Sequence, residues 1–347
     1  YRIKARHAVG ARGWGLGMLC SRENPLVAFT LLSQFAVGSY LMLFLLPLLA
    51  PAAAQAFQQH PGVMTGSLFG LLGTQAFGLF LSASHLGKPQ RFYRGLNNLR
   101  HSWLSREALA LTLFFAALGA QTFVHTFPAL TSWLPAPLPH IAGWSADVLG
   151  PGALYCMNRI YRIKARPFWD HWQVLTSFYG SMLTLGSLTV AMVYAAVLTA
   201  QGQPFADLLA VAACPMAIGL ALEGWGLIAH ARELNRRGGE AAASHLQQRT
   251  TFGKTYLLRN IGLALSIALA GALGAAQLDG YTGVAAWAFA AALIVATAFI
   301  GRALFYVLVI PTTMPGAFFW RNKGFEDHAR ATGLARMPQV GVLPDAH

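Results

Sequence analysis

Between His85 and Glu107 the chain runs HLGKPQRFYRGLNNLRHSWLSRE, a basic, aromatic loop clamped between two long apolar runs at 62–84 and 108–123. A histidine, a lysine, arginines and a glutamate at the mouths of two hydrophobic helices are ionisable groups held at a membrane interface, where such groups are functional-site candidates. The chemistry they suit is quinone chemistry. A quinone ring needs a hydrogen-bond donor at each carbonyl, a route for protons and apolar walls for its isoprenoid tail. His85 can donate and titrates near neutrality, Arg91 can hold a carbonyl oxygen, and Glu107 can pass protons to water. Gly87, followed by Lys88 and Pro89, lets the backbone turn close to a ring. A helix-end histidine also serves as a plain interfacial anchor, so residue chemistry leaves both readings open.

The elements that must position this mouth are transmembrane helices. Hydrophobic residues make up 55% of the 347 and charged residues 11%, against roughly 25% charged in soluble domains; the mean hydropathy is +0.48. Runs of about 20 apolar residues, enough to cross a bilayer, fall at 26–50, 62–84, 106–127, 172–198, 206–229, 257–277 and 285–310. A weaker eighth at 140–158 carries Asp147, Gly150 and Pro151 and is expected as a broken or tilted span. The predicted architecture is an all-α bundle of eight transmembrane helices over 26–310, with tails at 1–25 and 311–347. The first apolar run is too long for a signal-peptide core, so no cleavable leader is expected.

Charge patterning orders these spans. All of the 25 lysines and arginines except Arg302 fall in the two tails, in alternate loops or at their rims. The remaining loops, 51–61, 128–140, 199–205 and 278–284, contain none. The positive-inside rule then puts both tails and the basic loops in the cytoplasm. The net charge of +13 on that face sets orientation and attracts anionic lipid. With Trp103, Phe168, Trp169 and Trp172 interleaved, it also suits an acidic soluble partner. A protein with no soluble domain offers nucleic acid no site.

Three further polar residues stand near bilayer depth. Glu223 lies seven residues before His230 and Arg302 eight before Ile310, each roughly 10 Å inside at 1.5 Å per residue. Both lean toward the cytoplasmic side, so an ion pair between them is expected, either as structural glue or as part of a working polar cluster. Arg159, after Asn158, closes the fourth span. Cys20, Cys156 and Cys214 are scattered, without metal or disulfide spacing, so no metal site is expected. A b-type haem needs two axial histidines on facing helices; only His125 and His140 could meet, and no haem is expected. The run YRIKAR at 1–6 recurs at 161–166, and no physical role follows from the duplication.

The run His85-Leu86-Gly87-x-Pro89-x-Arg91-x-Tyr93, then Leu104-Ser105-x-Glu107, resembles the signature of the dimethyl sulfoxide reductase membrane anchor subunits. The stretch 158–186 is similar to that family too, and the C-terminal run 311–342 looks most like the anchors of sulfite dehydrogenase. The resemblance implies a haem-free anchor in a bacterial inner membrane that exchanges electrons between a quinone (ubiquinone or menaquinone) and a ferredoxin-like iron–sulfur subunit docked on the cytoplasmic face. That subunit would be wired to a molybdopterin catalytic subunit. The resemblance carries the quinone pocket onto His85, Gly87, Arg91, Tyr93 and Glu107; the family often has Phe where Tyr93 stands. With a cytoplasmic dock and that C-terminal run, the expected direction is quinone reduction by electrons from sulfite oxidation. The alternatives are the anchor of a quinol-oxidising dimethyl sulfoxide reductase-type enzyme, a stand-alone transporter, and a purely structural anchor.

Overall fold

The computed structural model describes residues 13–15, 24–84, 89–135 and 137–310. The C-terminal run at 311–342 and the first YRIKAR copy lie outside the described residues. The described part is helical, without strands. Its elements are α1 (Asn24–Leu49), α2 (Pro51–Gln59), α3 (Pro61–Ser84), a 3₁₀ segment (Pro89–Leu96), α4 (Trp103–Thr126), α5 (Pro137–Tyr161), α6 (Gln173–Ala200), α7 (Ala206–Arg237), α8 (Gly239–Arg249), α9 (Gly253–Ala276) and α10 (Gly280–Val307).

Seven of these, α1, α3, α4, α6, α7, α9 and α10, are long and apolar enough to cross a membrane, and the protein is a multi-pass membrane protein. The eighth expected span differs from expectation. At 25 residues α5 is as long as its neighbours and continuous through Pro151, but it falls outside the seven, as its Asp147, Asn158 and Arg159 lead one to expect. Proline costs a helix one amide donor. Here the Pro151 carbonyl takes the Tyr179 hydroxyl at 2.8 Å, tying α5 to α6. Three expected loops also carry helix: Pro51 opens α2, since proline suits a first helical turn, a single turn forms at Pro128–Thr131, and α8 follows α7.

Helices α1 and α6 form the centre. α1 packs on α3, α5, α6 and α10, and α6 packs on α1, α5, α7 and α10. Lipid tails are as apolar as leucine, so helices in a bilayer associate through close packing at small residues. Gly38 of α1 lies against the Met182 carbonyl and Gly186 of α6 against the Gly38 backbone, so a Cβ at either would overlap main chain. Gly180 of α6 and Gly219 of α7 repeat the arrangement, each Cβ meeting the other's carbonyl oxygen at 2.6 and 2.5 Å.

The two ends are fastened differently. At the end without basic residues, Asp279 accepts hydrogen bonds from the amides of Phe205 and Ala206 at 2.7 and 2.9 Å. A carboxylate there satisfies free amides and complements the positive end of α7. At the basic end the fastening is aromatic. The indole of Trp169 donates to the Phe305 carbonyl at 2.8 Å, and its ring stacks on Phe305 at 5.4 Å. His171, in the α5–α6 connection, accepts the Gln173 amide at 3.0 Å and lies 5.2 Å from the buried His230 ring. Burial first, and then the Arg237 guanidinium, push the His171 imidazole below its ordinary range.

Gly186→Leu is expected to cost at least about 3 kcal/mol, the upper end of ordinary overpacking, because main chain cannot step aside. Gly271→Ala, with open space around it, should be silent; thermal unfolding of the detergent-solubilised protein compares the two. His171 is neutral in the fold, while the unfolded chain takes up its proton near the ordinary pKa of about 6.5. Its contribution is therefore present above that pH and is lost as pH falls through it. Melting temperature should drop between pH 7 and pH 5, and less steeply in His171→Gln.

Candidate functional site

The mouth is framed by α3, the 3₁₀ segment and the start of α4. Its backbone is fixed locally. Ser102 caps α4 by accepting the Ser105 amide at 3.3 Å, and Arg106 reaches back to donate to the carbonyls of Leu99 at 2.9 Å and Arg100 at 2.6 Å. These bonds hold the 97–102 turn against the first turn of α4. Trp103 forms the rim: its ring carries the Arg106 guanidinium at 4.4 Å and that of Arg159 at 5.1 Å, with Tyr155 edge-on at 6.1 Å. Each such cation–π contact contributes about 0.5–1 kcal/mol where exposed.

Below this rim sits Glu107, 5% exposed, and it makes no hydrogen bond to a described residue. Taking a carboxyl out of water without a partner costs several kcal/mol, which makes Glu107 the candidate functional group of the mouth. Arg91 and Tyr93 lie above it on the 3₁₀ segment, and both are exposed, Tyr93 by 55%. No contact links either to Glu107. His85 and Gly87 lie outside the described residues. Arg159 is half-buried, with its Nε unpartnered and its guanidinium on the Trp103 ring rather than in an ion pair.

Behind Glu107 a polar layer crosses the bundle. Tyr161, the last residue of α5, shares a 2.5 Å hydrogen bond with Tyr306 of α10, and Glu107 is near enough to act electrostatically on both hydroxyls. One helical turn before Tyr306, Arg302 donates from Nη2 to Gln34 Oε1 of α1 at 2.7 Å. Its guanidinium lies over Phe178 at 4.2 Å and Phe305 at 5.8 Å. Thr30, one turn before Gln34, donates its hydroxyl to the Leu26 and Val27 carbonyls of its own helix at 3.0 and 3.2 Å.

The expected Glu223–Arg302 ion pair is not formed. Both side chains are buried, at 8% and 3% exposure, and feel each other's charge, but Gln34 takes the Arg302 bond. Glu223 lies instead beside Gly301 and Arg259: a Cβ built on Gly301 would be 3.7 Å from Glu223 Oε1 and 3.8 Å from Arg259 Cγ. Sequence reasoning missed Gln34, Tyr161, Tyr306 and Arg259 as members of one cluster. The available signal was single polar residues recurring at helical spacing on apolar runs. It also passed over Asp147, whose two carboxyl oxygens are buried and unpartnered among the described residues.

No group of three or more histidine, cysteine, aspartate or glutamate side chains that could hold a metal occurs among the described residues. A cleft of about 460 Å³ opens between α1, α3 and α6, lined by Phe35, Leu43, Gly66, Gly70 and Val193 among others and by no titratable side chain. It lies in the half of the bundle away from the mouth.

Known proteins match this sequence across much of its helical region. It is 31% identical over 169 residues to the C subunit of anaerobic dimethyl sulfoxide reductase from Haemophilus influenzae, covering 49% of this protein and 57% of that one. It is 30% identical over 195 residues to the anaerobic dimethyl sulfoxide reductase subunit YnfH of Escherichia coli, covering 55% and 66%. It is 32% identical over 181 residues to the C subunit of the Escherichia coli enzyme, covering 49% and 58%. The match thus spans less than two thirds of the length of each of these relatives. With the model of the DMSO reductase anchor subunit (DmsC) matching residues 18–308, the protein belongs to that family.

Proposed function

We propose that the protein is the membrane anchor and quinone-reactive subunit of a molybdopterin/iron–sulfur oxidoreductase, and that it oxidises quinol on behalf of a reductase. The observation that carries the reading is the buried Glu107 carboxyl at a basic, aromatic mouth, in a member of the anchor family. Family and relatives favour quinol oxidation over the sulfite-oxidising, quinone-reducing direction expected from the sequence. The three relatives named above are dimethyl sulfoxide reductase subunits, and the family whose model matches is the DMSO reductase anchor subunit family.

The residues present fit a quinol head. Glu107 is a carboxyl with no protein partner among the described residues, and the arginines around Trp103 hold the rim electropositive. A bound quinol supplies two electrons and two protons. The protein's part is to accept a hydroxyl proton at the Glu107 carboxylate and, through the resemblance, to bind the ring oxygens with His85 and Arg91. By the same resemblance, Gly87 would allow close approach of the backbone and Tyr93 would belong to the pocket. Electrons leave to an iron–sulfur partner docked on the basic face. Molybdopterin and the iron–sulfur clusters belong to the partners. The eighth membrane crossing is α5, which returns the polypeptide to the basic face and gives both tails the cytoplasmic side of a bacterial inner membrane.

The natural complex, purified gently, should contain iron and molybdenum in fixed ratio to this subunit. Glu107→Gln should leave that ratio unchanged and lower quinol-linked turnover by roughly 10²-fold or more, the usual contribution of a positioned acid–base group. A protein that purifies without metal-bearing partners would sink the reading and bring a transporter forward. Full quinol oxidation in Glu107→Gln would move the site elsewhere.

A further inference from the structure

The polar layer behind Glu107 ends on a second carboxyl. Glu107 acts electrostatically on Tyr161 and Tyr306, whose hydroxyls share a 2.5 Å hydrogen bond; one turn before Tyr306, Arg302 bonds Gln34 of α1, and next to it Gly301 has Glu223 and Arg259 as neighbours. All of these side chains are buried. They come from α4, α5, α10, α1, α7 and α9, so the layer draws on six helices.

Two observations separate this layer from packing glue. First, it is incompletely satisfied. Arg302 Nη1 and Gln34 Nε2, on either side of one hydrogen bond, are buried donors without partners among the described residues. Buried donors of this kind are as a rule paired, through water where no protein group is available. Second, Glu223 faces a small cavity of about 10 Å³, at the lower limit of room for one water, in which the hydroxyl-bearing Ser181, Thr184 and Thr297 share the lining with Leu185, Leu220 and other apolar side chains. A mere structural ion pair would have joined Glu223 directly to Arg302. Instead Arg302 is held by neutral Gln34 and two aromatic faces, which leaves the Glu223 carboxylate free to take a proton while the guanidinium stays fixed.

We infer that Glu223 is a second proton site of this protein, exchanging protons with Glu107 through the Tyr161–Tyr306 hydroxyl pair and water held at Arg302 and Gln34. The step is a proton transfer alone: the Glu107 carboxyl gives up its proton to become carboxylate, and the Glu223 carboxylate gains one to become carboxyl. No electron moves. Arg302 and Arg259 are positioning residues whose positive charges act on Glu223. The inference rests on the reading of Glu107 as the group that takes the quinol proton.

The test uses the assembled complex in proteoliposomes and compares wild type with Glu107→Gln, Glu223→Gln and Tyr306→Phe. Three quantities are read for each: quinol oxidation rate, its solvent deuterium isotope effect, and the protons exchanged on binding a quinone analogue, taken from the buffer dependence of the binding heat. Glu223→Gln and Tyr306→Phe should keep metal content and analogue Kd. They should slow quinol oxidation by roughly 10²-fold, the low end for a positioned acid–base group, raise the isotope effect and alter the proton count. Wild-type values of all three in both variants, with Glu107→Gln inactive, would overturn the proton route and leave the mouth intact. Wild-type activity in Glu107→Gln would overturn the mouth and the route with it. If Glu223→Gln fails to assemble, Tyr306→Phe decides alone, since phenylalanine keeps the ring packing and removes only the hydroxyl.

Discussion

A guanidinium buried at 3% exposure with no carboxylate in contact among the described residues is the constraint around which the basic half of this bundle is arranged. An arginine cannot shed its proton at any accessible pH, so Arg302 must be solvated by the protein itself. Gln34 gives it a neutral acceptor, and Phe178 and Phe305 give it two ring faces. Those three residues come from α1, α6 and α10, so solvating one charge fixes three helices. Removing Gln34 or either ring would leave a charge at bilayer depth, which costs several kcal/mol. The helices cannot drift apart without incurring that cost.

Close approach makes this arrangement reachable. Gln34 sits one helical turn before Gly38, the residue whose missing Cβ lets α1 touch α6. Were α1 held away by a side chain at position 38, the carboxamide of Gln34 would fall short of Arg302. The glycine crossing and the buried charge are thus one design: packing of small residues sets the spacing, and the polar bond fixes the register. The same logic recurs where Gly219 brings α7 against α6, carrying Glu223 on the next turn toward the same layer.

The sequence made the spans legible because length and hydropathy alone determine them, and the segregation of lysine and arginine separated the two ends. It located Glu107 at a mouth and set Glu223 and Arg302 at the same depth. It could not reveal that Arg302 would choose Gln34 over Glu223, since that bond joins residues 268 apart in sequence. Nor could it weigh Tyr161, which reads as one letter of a repeated YRIKAR run and yet is buried, with its hydroxyl at the centre of the polar layer. Helix α5 was underestimated for a related reason. Hydropathy counts Asp147, Pro151 and Asn158 against a span, whereas α5 runs continuously through Pro151 and is tied to α6 by the Tyr179 hydroxyl.

The distribution of polarity then bears on how the site operates. The half of the bundle away from the mouth holds the apolar cleft between α1, α3 and α6, whereas Glu107, Glu223, Arg259 and Arg302 share the basic half. Charges gathered in one half feel one another through a medium of low dielectric, where their coupling is stronger than at the surface. A proton arriving at either carboxyl therefore alters the field at the other. The proposed proton exchange between the two carboxyls would use the Tyr161–Tyr306 hydroxyl pair and would need no movement of helices. Rigidity and proton transfer are compatible here because the group that holds the bundle together, Arg302, never changes its own charge.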